Sequence, residues 1–233
     1  MRRLGSKRII ILLFFLATIF FVHYFGLIKY ITIESIKENT YVLQKFISEH
    51  YFYSVVVYIV ILTFLTSLAF PVAVLMTMIG GFLFGTFLGA FYATIGATIG
   101  SSVAFLLIRY LIGSWLQSRF GQKMHAFNRE VKKHGYSYLL SVHFVSVIPL
   151  FIINILSALT NVSFWTFVWT TGVGIFPGSL VYSFAGKQLA TIDSIGDIFS
   201  YRILLAFLLL AILAALPVVV KKMLKNKNRT EYV

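Results

Sequence analysis

Cysteine is absent from the 233 residues, which removes disulfides, thiolate metal sites and cysteine nucleophiles together. Acid is almost as scarce: the chain has seven Asp and Glu, and none lies between Glu49 and Glu130. That gap leaves no intramembrane carboxylate pair, and no Glu or Asp to complete a zinc site or a serine triad. No His-x-x-x-His pair occurs, and Gly80-Gly81 with Gly85 is not followed by the Lys-Ser or Lys-Thr of a phosphate-cradling loop. The expectation is therefore of a protein that is not an enzyme and that carries no cofactor and no metal. Charge as a whole is the third shortage. Only 12% of residues are charged and 59% are hydrophobic, whereas soluble chains run at roughly a quarter and a half. Such a chain is expected to be an integral, multi-pass membrane protein.

What charge there is clusters. The 20 Lys and Arg residues give a formal net charge of +13. Arg2, Arg3, Lys7 and Arg8 precede the first apolar run. Arg119, Lys123, Arg129, Lys132 and Lys133 fill the middle connector, and Lys221, Lys222, Lys225, Lys227 and Arg229 follow the last span. Two other loops are balanced, Lys29, Lys37 and Lys45 against Glu34, Glu38 and Glu49, and Lys187 and Arg202 against Asp193 and Asp197. Short Lys/Arg-rich loops stay on the cytoplasmic side, so this alternation reads as a topology signal, not as a nucleic-acid surface. It puts both termini in the cytoplasm, of a bacterial inner membrane if the source is bacterial. The expected partners are membrane lipids, anionic or phosphate-bearing, with no nucleic acid and with a homo-oligomer left open.

Ile9 to Ile28 is long enough to cross about 30 Å of hydrocarbon and reads as a retained signal anchor. Tyr30 to His50 mixes charges with apolar residues at helical spacing, as a helix lying in the interface does. Tyr53 to Phe87 is apolar but interrupted by Pro71 and then by Gly80, Gly81 and Gly85, which favours a broken hairpin over one straight span. Gly89 to Leu111 is a full span with Gly96, Gly100 and small alanines on one side, a helix-packing face. The basic connector, Gly113 to Gly135, carries a helical apolar stripe. A second broken hairpin from Tyr136 to about Thr160 turns around Pro149 and Asn154, and a second span, about Phe164 to Ala185, carries Gly174, Pro177 and Gly178. Ser200 to Val220 is a last span before a basic tail. Three regions follow: 1–50 with the anchor and interfacial helix, 51–190 as the repeat domain, and 191–233 with the last helix and tail.

Residues 71–110 and 149–186 read as one design written twice. A shift of 78 positions carries Pro71 onto Pro149, Gly96 onto Gly174, Gly100 onto Gly178, Ser101 onto Ser179 and Arg109 onto Lys187 without a gap. A hairpin that enters and leaves by one face, followed by a single crossing, is an odd number of passes, so the second copy enters upside down. The expected fold class is an all-α membrane protein. It is an inverted repeat of two re-entrant helical hairpins, each followed by a transmembrane helix, with further transmembrane helices at both ends. Non-helical backbone at membrane depth is tolerated only where protein buries it or water reaches it, which makes the hairpins the candidate site.

Gly80-Gly81-Phe82-Leu83-Phe84-Gly85, Gly96-Ala97-Thr98, Ala104-Phe105 and Arg109-Tyr110 resemble the first half of the DedA superfamily, also called the SNARE-associated Golgi protein or VTT-domain family. The second half is similar through Ile153-Asn154 and through Gly174 to Tyr182, followed by Gly186. The match is nearest the branch of the yeast Golgi vesicle protein and its bacterial relatives. The resemblance implies two opposed re-entrant hairpins and activities such as lipid scrambling or flipping of polyprenyl-phosphate carriers. Flippase-type relatives carry acids in the first hairpin and arginines in the second. Here the first hairpin has no acid, and the Arg-x-x-Pro-x-x-Pro pattern reads His143 to Pro149, with Ser146 at the first proline.

The expected function is transport or scrambling of a phospholipid or polyprenyl-phosphate head group; the alternative is a non-transporting scaffold that organises membrane or binds a partner. The candidate lipid-binding residues are His143, Ser146, Pro149, Asn154, Arg109 and Lys187. His143 either meets a lipid phosphate or stays neutral against a freed carbonyl. Arg109 and Lys187 either engage head groups or snorkel. Asn154 and Ser146 line a cavity or satisfy broken-helix backbone. Pro71, Gly80, Gly81, Gly85, Gly96, Gly100, Gly174, Pro177 and Gly178 are expected to shape and pack the hairpins.

Overall fold

A computed structural model describes residues 39–68, 70, 72–113, 127–144 and 149–189, together with isolated helical positions between 201 and 212. The signal anchor, Pro71, Ser146 and most of the last span and tail lie outside the described residues. Within them every regular element is helical, with no strand. The chain runs α1 (Thr40–Glu49), α2 (Tyr51–Ser67), α3 (Ala73–Phe84) and α4 (Thr86–Leu107). Then come a π-helical turn (Ile108–Ile112), helical residues 127–134, α5 (Tyr136–Phe144), α6 (Leu150–Ala158) and α7 (Phe164–Leu189).

Thr86–Leu111 and Phe164–Leu189 are 26 residues each and apolar enough to cross a membrane. At 1.5 Å per residue each reaches about 39 Å, more than the roughly 30 Å of hydrocarbon. A third span exists if α1 and α2 are taken together, but they are bent by 113° at His50. Exposed Phe87, Phe91, Val103, Trp165, Trp169 and Val173 on the two long helices suit contact with lipid.

Pro149, with φ −51° and ψ 137°, precedes the first turn of α6, the position at which a missing N–H costs a helix nothing. The first hairpin also breaks between Ser67 and Ala73, where Val72, with φ −106° and ψ 0°, precedes α3, so residues 61–83 are not one straight helix. The glycines there divide in a way the sequence did not show. Gly80 and Gly81 lie inside α3, and Gly85 alone makes the turn, at φ +81°, a region open to glycine and strained for other residues. Pro177 sits within α7, which continues through it as the span read from the sequence did.

Element boundaries recur at the spacing of the sequence repeat. Thr86 and Phe164, the first residues of α4 and α7, stand 78 positions apart, and α3 and α6 correspond to within a residue at their starts. Contacts recur too. A Cβ on Gly96 would lie 3.2 Å from the Leu62 side chain of α2, and one on Gly174 would overlap the His143 side chain of α5 and lie 3.6 Å from the Leu140 carbonyl; Leu62 and Leu140 are again 78 positions apart. The short limb of each hairpin crosses to the other half, α3 packing on α7 and α6 on α4, while α4 and α7 pack on each other. The α3–α7 crossing is the tightest. A Cβ on Gly81 would overlap the backbone of Ser183, and one on Gly186 would overlap the carbonyl of Met78. Ser183 Oγ donates across this crossing to the Thr77 carbonyl at 3.2 Å, and Tyr58 ties α2 to α3 through a bond to the Met76 carbonyl at 2.8 Å. Small residues at the crossing and hydroxyl bonds beside it are the usual glue where lipid removes a hydrophobic drive between helices.

Candidate functional site

The two helix breaks open onto one cavity. Its volume is about 210 Å³, and its wall takes Thr66, Ala73 and Val74 from the first hairpin, His143, Pro149, Leu150 and Asn154 from the second, and Ala97, Ser179 and Tyr182 from the long helices. Apolar groups dominate this wall, and among the described residues none that lines it carries a carboxylate or a fixed cation. His143, Pro149 and Asn154 are thus brought together, as the sequence placed them; Ser146 lies outside the described residues.

Asn154 is 1% exposed, and both its amide oxygen and nitrogen lack a hydrogen-bond partner. The Thr66 hydroxyl on the facing break is buried and unpaired as well. Leaving a buried donor or acceptor unmade costs about 1–3 kcal/mol each, so this wall is poised to gain by holding a polar guest. Thr66 was missed from sequence because a lone hydroxyl in an apolar run carries no pattern; only its place beside the first break would have pointed to it.

His143 is held differently. Its Nδ1 lies 2.8 Å from the Leu139 carbonyl one turn back, and because a carbonyl only accepts, Nδ1 carries the hydrogen. Its Nε2 is 3.3 Å from the Thr171 hydroxyl of α7. Gly174 faces its Cβ, so close that no side chain fits there. At 2% exposure the ring is a bonded wedge between α5 and α7 that also borders the cavity.

Arg109 and Lys187, equivalent by the repeat, do different things. Arg109 stands on the π-helical turn, where it donates to the carbonyls of Ser157, Ala158, Thr160 and Val162 at 2.8 to 3.1 Å. Its guanidinium also rests 4.2 Å from the Phe105 ring centroid. The last carbonyls of α6 and the turn after it are therefore capped by a cation, the sign that complements a helix C-terminus. Lys187 is exposed in the last turn of α7. Neither lines the cavity.

A bundle of apolar helices, two of them long enough to cross a bilayer and packed around paired breaks, defines a helical membrane protein. Comparison with known proteins narrows the class. The VTT-domain family matches residues 70–188, so the protein belongs to the VTT-domain (DedA/SNARE-associated Golgi protein) family, as its motifs implied. It is similar to the transmembrane protein 41 homolog of Dictyostelium discoideum, 27% identical over 79% of this chain and 56% of that one. The homolog of Caenorhabditis elegans is 24% identical over 83% of this chain and 80% of its own length, and transmembrane protein 41B of Homo sapiens 27% identical over 80% and 65%. The match thus leaves a large part of the slime-mould and human proteins uncovered. No solved structure matches.

Proposed function

We propose that the protein is a non-enzymatic lipid transporter or scramblase that moves phospholipid or polyprenyl-phosphate head groups across the bilayer between its paired hairpins. In this reading the halves form an inverted repeat, α3 and α6 are re-entrant limbs meeting near the midplane, and both termini and the basic connector face the cytoplasm. Helix α1, bent sharply from α2 and exposing Tyr41, Val42 and Phe46, lies in the interface. One observation carries the reading: the two breaks share a cavity in which Asn154, deep inside an apolar bundle, has both amide atoms unpaired. A polar surface at that depth lowers the barrier a head group meets in hydrocarbon, since it exchanges its water for protein partners. The test is dithionite quenching of a fluorescent phospholipid in liposomes carrying the purified protein. Without protein about half the label, the outer-leaflet share, is expected to quench; with a scramblase nearly all does within minutes. Quenching that stops at the protein-free level would instead leave a membrane-organising scaffold.

A further inference from the structure

We infer that the cavity is a phosphate site made without a fixed cation, from the N-termini of the two half-helices α3 and α6 together with the amide of Asn154. The inference rests on the lipid-transport reading and names the part of the head group that the cavity takes.

The first residues of both helices, Ala73 and Val74 of α3 and Leu150 and Phe151 of α6, line this single cavity. Neither helix has a side-chain cap on its first turn. The opening turn of a helix leaves N–H groups without intrahelical acceptors, and the aligned peptide dipoles place roughly half a positive charge there. Two such ends facing one space make it electropositive though no described wall residue bears a fixed charge, and backbone N–H groups at a helix start are an established way to hold phosphate. Asn154 is the independent observation. Its amide is 1% exposed, unpartnered and on the wall of the same cavity, so its NH2 can donate where the dipoles point. Thr66, with its own unpaired hydroxyl, adds a donor from the opposite side. A cationic head-group amine is disfavoured by the sign of the dipoles. The volume, about 210 Å³, equals several waters at about 30 Å³ each, enough for a phosphodiester and some hydration and too small for acyl chains. Phosphate therefore enters while the chains stay in lipid. A site without a salt bridge also holds its guest loosely enough to release it to either side.

Binding is tested on the full chain in neutral detergent by following Tm against added dihexanoyl phosphatidic acid, dihexanoylglycerol or inorganic phosphate. The phosphatidic acid is expected to raise Tm and the diacylglycerol to leave it unchanged. Asn154→Asp and Val72→Asp, which put a carboxylate on the cavity wall and at the start of α3, are each expected to weaken the phosphatidic acid effect tenfold or more, the loss of one charge-assisted bond. Val72 packs on the core between α2 and α3, so Val72→Asn, equal in size to the aspartate and without its charge, is run beside it: retained phosphatidic acid binding in Val72→Asn separates lost binding from lost folding in Val72→Asp. The Val72 pair decides alone if Asn154→Asp does not fold. Equal phosphatidic acid affinity in the parent and Val72→Asp overturns the site, and inorganic phosphate binding as tightly as the lipid overturns the lipid source in favour of free phosphate. Dithionite quenching on the same preparations keeps the two readings apart: phosphate binding without lipid exchange removes transport and leaves the site, while exchange without phosphate binding does the reverse.

Discussion

His143 and Asn154 border the same cavity in opposite conditions, one hydrogen-bonded at both ring nitrogens and the other bonded at neither amide atom. The difference turns the expectation for His143 toward its neutral reading. A hydrogen-bonding wedge is replaceable by another amide donor and acceptor, whereas a permanent cation there meets no carboxylate among the described residues of the cavity wall. His143→Gln is expected to retain lipid exchange within about twofold of the parent, and His143→Arg to lose tenfold or more by the dithionite assay. Retained activity in His143→Arg would show instead that charge is what the site needs. At this scale the sequence was legible in kind and not in role. His143, Pro149 and Asn154 were visible as polar or breaking residues in apolar text, but text cannot say which buried group is satisfied. Thr66, Thr77 and Ser183 were silent because hydroxyls in membrane helices so often bond their own backbone. Asn154 differs because a longer polar group without a local partner has to be answered from elsewhere.

Among the elements, α6 depends most on a neighbour. It is nine residues long, too short to be stable alone, and its C-terminal end hangs on the four carbonyl bonds of Arg109. Arg109→Ala takes a donor from each of those carbonyls, of which, among the described residues, only Ser157 keeps others, from Thr160, a loss of about 1–3 kcal/mol. Arg109→Lys recovers only part, because a single ammonium cannot span the fan that a guanidinium covers. Thermal unfolding in detergent is expected to rank parent above Lys above Ala, with lipid exchange following the same order; equal Tm values for all three would show that the cap is not needed. The helices themselves were legible because proline and glycine punctuate them: the break at Pro149 and the turn at Gly85 fall where backbone chemistry demands. Gly80 and Gly81 misled for the opposite reason. Inside a bundle, packing partners hold a helix through residues that local preference would break, and Gly81 is needed for the close approach of Ser183, not for a turn.

For the whole molecule, the all-helical architecture was legible in the text, and the spacing of the repeat reappears in the first residues of α4 and α7, which stand 78 positions apart. Its orientation in a membrane is a separate matter, carried by loop charge. Because the chain has no cysteine, single cysteines at Gln122 and Ser194 report cleanly. The inverted arrangement requires labelling from opposite sides of a sealed membrane, and labelling from one side contradicts it. The central claim, that head groups pass through the cavity between the two breaks, is tested most directly by filling that cavity. Ser179, a small wall residue on α7, becomes Phe, and dithionite quenching is followed in liposomes matched for protein content and Tm. Passage through the cavity requires that Ser179→Phe fall back toward the half-quenched level of protein-free liposomes; quenching as fast and complete as the parent's would place the lipid path elsewhere.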